Sequence, residues 1–143
     1  MKGSVFLDTN IFIYALTKPK VETDIYKRQV AVDLLKKLYG NKDIQLSVQV
    51  INEIHINMVR KFKIKDDIVF KIIQDNIFSI ASVTTLSVQT YNIAFDVRGK
   101  YNISYWDSLV VASALESKCD ILYSEDMQDG LILEDKLKIV NPF

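Results

Sequence analysis

Four acidic residues lie where predicted strands end or predicted helices begin: Asp8, Glu53, Asp107 and Asp126. Asp8 and Asp126 each follow a short apolar run, whereas Glu53 and Asp107 lie within the first two turns of predicted helices. Carboxylates gathered in one place repel one another unless a cation compensates their charge. Their hard oxygen atoms are the ligands that Mg²⁺ or Mn²⁺ prefers. The four residues therefore predict a divalent-metal site, provided that the fold brings them together.

Each of these acids also has a purely structural explanation. Asp8 and Asp126 follow strands, where a carboxylate can cap a helix or close a turn. Asp107 lies three residues after Ser104, at the spacing of a capping box. Asp107 also heads the apolar stripe of its helix, where a carboxylate is costly without a counter-charge. Glu53 fits a solvated polar helix face equally well. The residues taken singly leave both explanations open.

Short apolar runs and stretches of helical periodicity alternate along the chain. The apolar runs predict strands at residues 5–7, 44–46, 80–83, 121–123 and 137–140. The helical stretches cover residues 10–15, 21–39, 47–62, 66–78, 85–100 and 104–118, with a stop at Gly40 and a break at Gly99. This alternation predicts a single α/β domain over residues 1–143, with a parallel sheet covered on both faces. Sites in such sheets form beyond the carboxyl ends of the strands.

The composition is that of a globular protein, because 49% of the 143 residues are apolar and 25% are charged. The 18 basic and 18 acidic residues cancel, so nucleic-acid binding would need a local basic patch or metal ions. Cys119 is the only cysteine, which excludes an intrachain disulfide. The sequence has no signal-peptide pattern and no apolar run of membrane-spanning length. We therefore expect a cytoplasmic protein that makes no membrane contact.

Four segments of the chain resemble the PIN-domain family, and most closely the VapC-type toxin ribonucleases of toxin–antitoxin pairs. The segments are FLDTNIFIYA at residues 6–15, SVQVINE at 47–53, YWDSLVVASA at 105–114 and LYSEDMQDG at 122–130. They occur in the order in which the family has them and extend over nearly the whole chain. The tail VNPF at residues 140–143 is also similar to the family.

The resemblance implies a three-layer α/β/α sandwich with a short parallel sheet. It also implies an endoribonuclease that hydrolyses RNA phosphodiesters with a water molecule activated by Mg²⁺ or Mn²⁺. The positions that match the family's metal-binding and catalytic acids are Asp8, Glu53, Asp107 and Asp126. The expected partners are an RNA substrate, a cognate antitoxin protein and a second copy of the chain in a homodimer.

Further residues are assigned by the same resemblance. Thr9 or Asn10, together with Ser124, match positions that orient the acids through hydrogen bonds. Asp129 matches a possible additional ligand, and a surface turn with Gly130 is the alternative interpretation.

A basic run at residues 60–65 is the densest positive charge of the chain. Its cations are Arg60, Lys61, Lys63 and Lys65. One interpretation is a patch that contacts RNA phosphates, which would offset the neutral net charge. The other is a solvated helix end, where cations are favoured by the helix dipole. The sequence leaves both interpretations open.

Two aromatic residues directly precede Asp107. Tyr105 and Trp106 are of the type that stacks on nucleobases, although core packing is the commoner use of such residues. Arg98 and Lys100 lie just before this helix and are candidates to flank a substrate groove.

Other functional classes fit the pattern less well. A receiver-like signalling module needs a Lys that ends a later strand, and none follows residues 80–83 or 121–123. A phosphatase of the Asp-x-Asp-x-Thr type is excluded because Asn10 stands at the second acidic position. A catalytically silent PIN-like binding scaffold, or an RNA-processing nuclease without an antitoxin, remains the alternative to a toxin.

Overall fold

The computed structural model describes residues 2–143, and within them six strands form one sheet. The strands are β1 (Ser4–Leu7), β2 (Asp43–Ser47), β3 (Ala81–Thr84), β4 (Ile121–Tyr123), β5 (Ile132–Leu133) and β6 (Leu137–Val140). Their order across the sheet is β3-β2-β1-β4-β6-β5. Neighbouring strands are parallel except for β5 and β6, which are antiparallel. The predicted α/β fold with a mostly parallel sheet is confirmed.

Six helices connect these strands within the described residues: α1 (Thr9–Leu16), α2 (Glu22–Leu38), α3 (Val48–Arg60), α4 (Asp66–Asn76), α5 (Val88–Tyr101) and α6 (Tyr105–Glu116). Side-chain oxygens of Asp8, Ser47, Ser87 and Ser104 accept backbone N–H groups at the starts of α1, α3, α5 and α6. Such caps satisfy donors that have no partner inside the helix. Three of these caps adjoin the predicted acids, so capping fixes where the helices of the site begin.

The connectivity places helices on both faces of the sheet. The chain moves from β1 to β2 to β3 in one direction and then returns across the sheet to β4. Right-handed crossovers therefore put α1 to α4 on one face and α5 and α6 on the other. The packing agrees, because α1 contacts α2 and α3, α3 contacts α4, and α5 contacts α6. The strand order reverses between β1 and β4.

The central strands are buried on both sides. Phe6 and Leu7 of β1, Leu46 of β2, Leu122 of β4 and Ile139 of β6 are fully buried. Val5, Phe6 and Leu7 follow one another in β1 and are all buried, as expected for a parallel strand with helices on both faces. This burial fixes the register of β1 against β2 and β4, and with it the position of Asp8.

The structure differs from the sequence-based prediction at two elements. The sequence does not predict β5, because two residues are too few to show a periodic pattern. Gly99 does not break α5, which continues to Tyr101 and ends at Asn102, a residue with a left-handed φ of 52°. Glycine inside a helix costs only about 1 kcal/mol relative to alanine, and the packing of α5 on α6 offsets that cost.

Over the described part of the chain, no helix combines the length and the apolar character needed to cross a membrane.

Candidate active site

The candidate site lies at the point where the strand order reverses. β1 and β4 are neighbours there, and the backbone N–H of Asp8 donates to the Tyr123 carbonyl at 3.0 Å. Ser124 follows β4 as Asp8 follows β1, so the two residues lie side by side at the sheet edge. Open α/β sheets bind ligands in the crevice beyond such strand ends.

Asp8 is buried at this edge and both of its carboxylate oxygens are held. Only 5% of the residue is exposed. Oδ1 accepts the backbone N–H of Thr9 at 2.8 Å, and Oδ2 accepts the Ser124 hydroxyl at 2.8 Å. Asp8 therefore caps α1, as one of the two interpretations predicts, and it also faces the loop that follows β4.

Burial is the main cause that raises the pKa of the Asp8 carboxyl to about 6. The negative charges of Glu53 and Asp126 act in the same direction. The hydrogen bonds from Thr9 and Ser124 lower the pKa but do not outweigh burial. The ionised form of Asp8 is thus disfavoured by its surroundings, although its oxygens are well placed to accept hydrogen bonds.

Glu53 reaches the same edge from α3. Its Oε2 accepts the Thr9 hydroxyl at 2.6 Å, so the residue next to Asp8 connects the two acids. Its Oε1 accepts the Gln49 side-chain amide at 3.2 Å. Both oxygens of this half-buried carboxylate are therefore fixed by hydrogen bonds. A carboxylate on a solvated helix face would lack such contacts.

Asp107 lies in the first turn of α6, on the other face of the sheet. The Ser104 hydroxyl accepts the backbone N–H of Asp107 at 3.1 Å, which confirms Ser104 as the predicted cap. Partial burial raises the pKa of the Asp107 carboxyl, and the charge of Glu53 adds to the rise, against a hydrogen bond with Ser104 that lowers it. Gln49 connects this helix to α3, because its amide also donates to the Trp106 carbonyl at 3.2 Å.

Asp126 is the most exposed of the four acids. Its Oδ2 accepts the Asn10 amide at 3.1 Å, and its backbone N–H donates to the Ser124 hydroxyl at 3.2 Å. Partial desolvation raises the pKa of the Asp126 carboxyl, and nearby negative charges, first that of Glu125, raise it further. Thr9, Asn10 and Ser124 thus all donate hydrogen bonds to the predicted acids.

We call Asp8, Glu53, Asp107 and Asp126 together the acidic edge. In the part of the chain that the structure describes, none of the four forms an ion pair with a Lys, Arg or His side chain. Their mutual influence on the pKa values shows that negative charge accumulates here without compensation. Over residues 2–143, however, no three His, Cys, Asp or Glu side chains are arranged so that they could hold a metal ion. Ligation by three of these acids would therefore require side-chain movement.

The sequence matches the PIN domain family over residues 5–128, which is most of the chain. This protein belongs to the PIN domain family. The predicted family membership is thereby confirmed. None of the curated proteins with which the sequence was compared matches it significantly.

Solved structures with the same fold share little sequence with this PIN domain. VapC20 of Mycobacterium tuberculosis, a toxin that cleaves the sarcin–ricin loop, has a TM-score of 0.62 and 17% identity over 86% of this chain and 90% of that chain. FitAcB from Neisseria gonorrhoeae has a TM-score of 0.69 and 15% identity over 96% of this chain and 97% of that chain. A toxin–antitoxin complex from Klebsiella pneumoniae has a TM-score of 0.68 and 17% identity, covering 98% of both chains. At these identities the likeness establishes the fold.

The structure of the PIN domain adds a charged network that the sequence analysis missed. Glu125, next to Asp126, accepts the Tyr14 hydroxyl at 2.8 Å and the Asn10 amide at 3.3 Å, and forms an ion pair with Lys27 of α2. Lys27 thus neutralises Glu125, in contrast to the acidic edge. The ion pair joins residues 98 positions apart, and no local pattern reveals it.

Gln49 was missed as well, although its spacing of four residues before Glu53 is a readable helical signal.

Two other predicted groups make contacts elsewhere or are exposed to solvent. Arg60 ends α3, and Lys61, Lys63 and Lys65 lie in the connection to α4, all of them exposed. Arg60 is about 10 Å further along the α3 axis than Glu53. Asp129 accepts the backbone N–H of Asn141 at 2.9 Å, so its carboxylate holds the C-terminal segment in a surface turn.

Proposed function

We propose that this PIN domain is a divalent-metal-dependent endoribonuclease. The observation that carries the proposal is the uncompensated charge of the acidic edge. Four carboxylates lie at this edge without a cationic partner in the described residues, and three of them have raised pKa values. A cation with two charges would reduce the repulsion between them, and oxygen ligands suit Mg²⁺ or Mn²⁺. Membership of a family of nucleases supports the same conclusion.

Asp8, Glu53, Asp107 and Asp126 are proposed as the residues that hold the metal. When bound, the ion stabilises charge on phosphate oxygens and lowers the pKa of water. The contribution of the chain itself is to orient the carboxylates before the substrate arrives. Asp8 is fixed through both oxygens, and Glu53 is fixed by hydrogen bonds to two different elements. These hydrogen bonds keep the two carboxylates at the acidic edge, from which three of the acids would still have to move to share one ion.

The neighbours of the acids are proposed to orient them. The Thr9 hydroxyl holds Glu53, the Asn10 amide holds Asp126, and the Ser124 hydroxyl holds Asp8. Groups that position metal ligands typically contribute about 10- to 100-fold to metal affinity or activity. Asp129 stays a proposed additional partner of the site, with one of its oxygens already accepting the backbone N–H of Asn141.

Substitution of Asp107 tests the proposal. Asp107→Asn removes one negative charge with little change in volume, and we expect RNA cleavage with Mg²⁺ or Mn²⁺ to fall at least about 100-fold. Circular dichroism should show that the fold is retained. Asp96→Asn is the matched control, because Asp96 is an exposed acid on α5. Wild-type cleavage by Asp107→Asn, or cleavage by the wild type that persists in excess chelator, would contradict the proposal.

We propose further that the nuclease is the toxin of a toxin–antitoxin pair in the cytoplasm, acting as a homodimer. Support comes from the fold shared with VapC20, a toxin, and with a toxin–antitoxin complex. An inhibitor with Arg or Lys side chains would complement the acidic edge. Co-expression with the protein of the adjacent reading frame should yield a stable complex in which cleavage is suppressed. If the neighbour neither co-purifies nor inhibits, the toxin assignment fails, while the metal site is still tested by Asp107→Asn.

A further inference from the structure

An apolar pocket of about 540 Å³ opens directly beside the acidic edge. Glu53 forms part of its wall, so whatever enters the pocket lies next to a proposed catalytic carboxylate. The apolar surface comes from Val48 of α3, Leu109 of α6, and Leu86 in the connection between β3 and α5. An apolar pocket with a few polar groups is the usual form of a binding site. Its place beside Glu53 suggests that it receives a part of the substrate that does not react.

Trp106 lines this pocket and is the only tryptophan of the chain. It is 64% exposed, which is unusual for a large aromatic side chain that could have been buried. The Tyr105 ring packs edge-on against it, with ring centroids 5.2 Å apart and an interplanar angle of 80°. The Arg98 guanidinium lies 5.9 Å from the centroid of the Tyr105 ring. Two exposed aromatic rings with an adjacent cation form a surface suited to a base and its phosphate.

Besides Glu53, the polar groups that line the pocket are the side-chain amides of Gln49 and Asn52. These two residues lie within one turn of each other on α3. The Gln49 amide nitrogen donates to Glu53 and to the Trp106 carbonyl, whereas its Oε1 is buried and has no hydrogen-bond partner within the described residues. Gln49 is thus held within the protein by its contacts, and Asn52, which is exposed, is the amide that a ligand in the pocket can reach. Amides are also the side chains that pair with the edges of nucleobases.

We propose that this pocket binds an unpaired nucleobase of the RNA substrate, with Trp106 stacked on the base and the Asn52 amide at its edge. The inference rests on the proposed ribonuclease function and extends it to the recognition of single-stranded RNA. The nearness of the pocket to Glu53 favours a substrate base over the side chain of a protein partner. Gln49 contacts both Glu53 and the backbone of Trp106, so a bound base is coupled to the position of the carboxylate.

Because Trp106 is the only tryptophan, its fluorescence reports directly on the pocket. The experiment uses the full chain in excess chelator, so that binding is measured without cleavage. A random-sequence single-stranded RNA of about 12 nucleotides is titrated against the protein. We expect saturable quenching of the Trp106 emission. An abasic oligomer with the same backbone should bind several-fold more weakly and leave the emission unchanged.

Variants separate stacking from simple charge attraction. Since stacking of one base on an aromatic ring corresponds to about 5- to 100-fold in affinity, Trp106→Ala should weaken binding of dye-labelled RNA by that factor in fluorescence anisotropy. Trp106→Phe should retain most of the affinity. Phe95→Ala is the matched control, because Phe95 is a 72% exposed aromatic residue on the neighbouring helix that does not line the pocket. Its affinity should equal that of the wild type.

The outcomes distinguish the pocket from the proposed function. RNA cleavage without any quenching, and with Trp106→Ala binding as tightly as the wild type, would overturn the base pocket and leave the ribonuclease standing. Quenching that depends on protein concentration but not on RNA would also overturn the base pocket, because a second copy of the chain would then cover Trp106. Base-dependent quenching without cleavage in Mg²⁺ or Mn²⁺ would support the pocket and overturn the ribonuclease.

Discussion

The acidic edge and the basic segment, defined as Arg60, Lys61, Lys63 and Lys65, are both concentrations of charge, but the fold treats them differently. The acids come from positions between residues 8 and 126, and the structure gathers them at one sheet edge. The cations are nearly consecutive and all of them are exposed. Asp8, the most buried acid, accepts hydrogen bonds at both carboxylate oxygens, and its burial raises its pKa to about 6. Charged residues that come from distant positions and are held together by hydrogen bonds therefore indicate a site more strongly than a dense local run of charge does.

The largest difference between the two regions should appear in how the free energy of unfolding depends on pH. Folding raises the pKa of Asp8 from 3.8 to about 6, so the ionised carboxylate opposes folding. The associated stability is complete below about pH 4 and is lost as the pH rises through about 6, by roughly 3 kcal/mol in all. Asp8→Asn should therefore be more stable than the wild type at pH 7, and not at pH 4. Denaturant unfolding in chelator measures both.

The matched control for this measurement is Asp96→Asn, which changes an exposed acid. It should keep the pH dependence of the wild type. An Asp8→Asn protein whose stability falls between pH 4 and pH 7 as steeply as the wild type would show that Asp8 is not the costly group.

The next largest effect should come from the contact that connects two acids. Thr9→Val removes the hydroxyl that donates to Glu53 at 2.6 Å while keeping the shape of the side chain. We expect metal-dependent cleavage to fall about 10- to 100-fold, because Glu53 loses its orientation. Thr9→Ser retains the hydroxyl and should recover most of the activity. Equal activities of the Val and Ser variants would show that the hydrogen bond has no role.

The smallest effect is expected in the basic segment. Replacing all four cations by Ala should weaken RNA binding only by about 2- to 10-fold, because exposed charges are screened by salt. The slope of log affinity against log salt should fall by about 0.7 for each cation that contacts a phosphate of single-stranded RNA. Lys36→Ala with Lys37→Ala is the control, since both lysines are exposed at the end of α2. Identical salt slopes for the wild type and the quadruple variant would show that the segment is only solvated.

The sequence predicts those parts of the molecule that depend on local pattern. Apolar runs locate β1 and β4, and these strands in turn place Asp8 and Asp126 at a sheet edge. Ser47 and Ser104 cap helices as expected, because the cap depends on residues only three positions apart. The roles of the acids as metal ligands are not tested by these contacts and stay predictions.

The sequence does not predict the features that depend on distant pairing. The ion pair of Lys27 with Glu125 needs α2 and the loop after β4 to meet in space, and neither segment signals the other. The two residues of β5 acquire their conformation only by pairing with β6. The link between Glu53 and Trp106 through Gln49 likewise exists only once α3 and α6 are in place.

The pairing of β1 with β4 also bears on when the acidic edge can assemble during synthesis. Asp8 leaves the ribosome more than a hundred residues before its partners Tyr123 and Ser124. Contacts of such long sequence separation form late, after the loop-closure entropy has been paid. A nascent chain that ends before Asp126 therefore lacks the complete acidic edge. Translation itself delays the assembly of the acidic edge until Asp126 has left the ribosome.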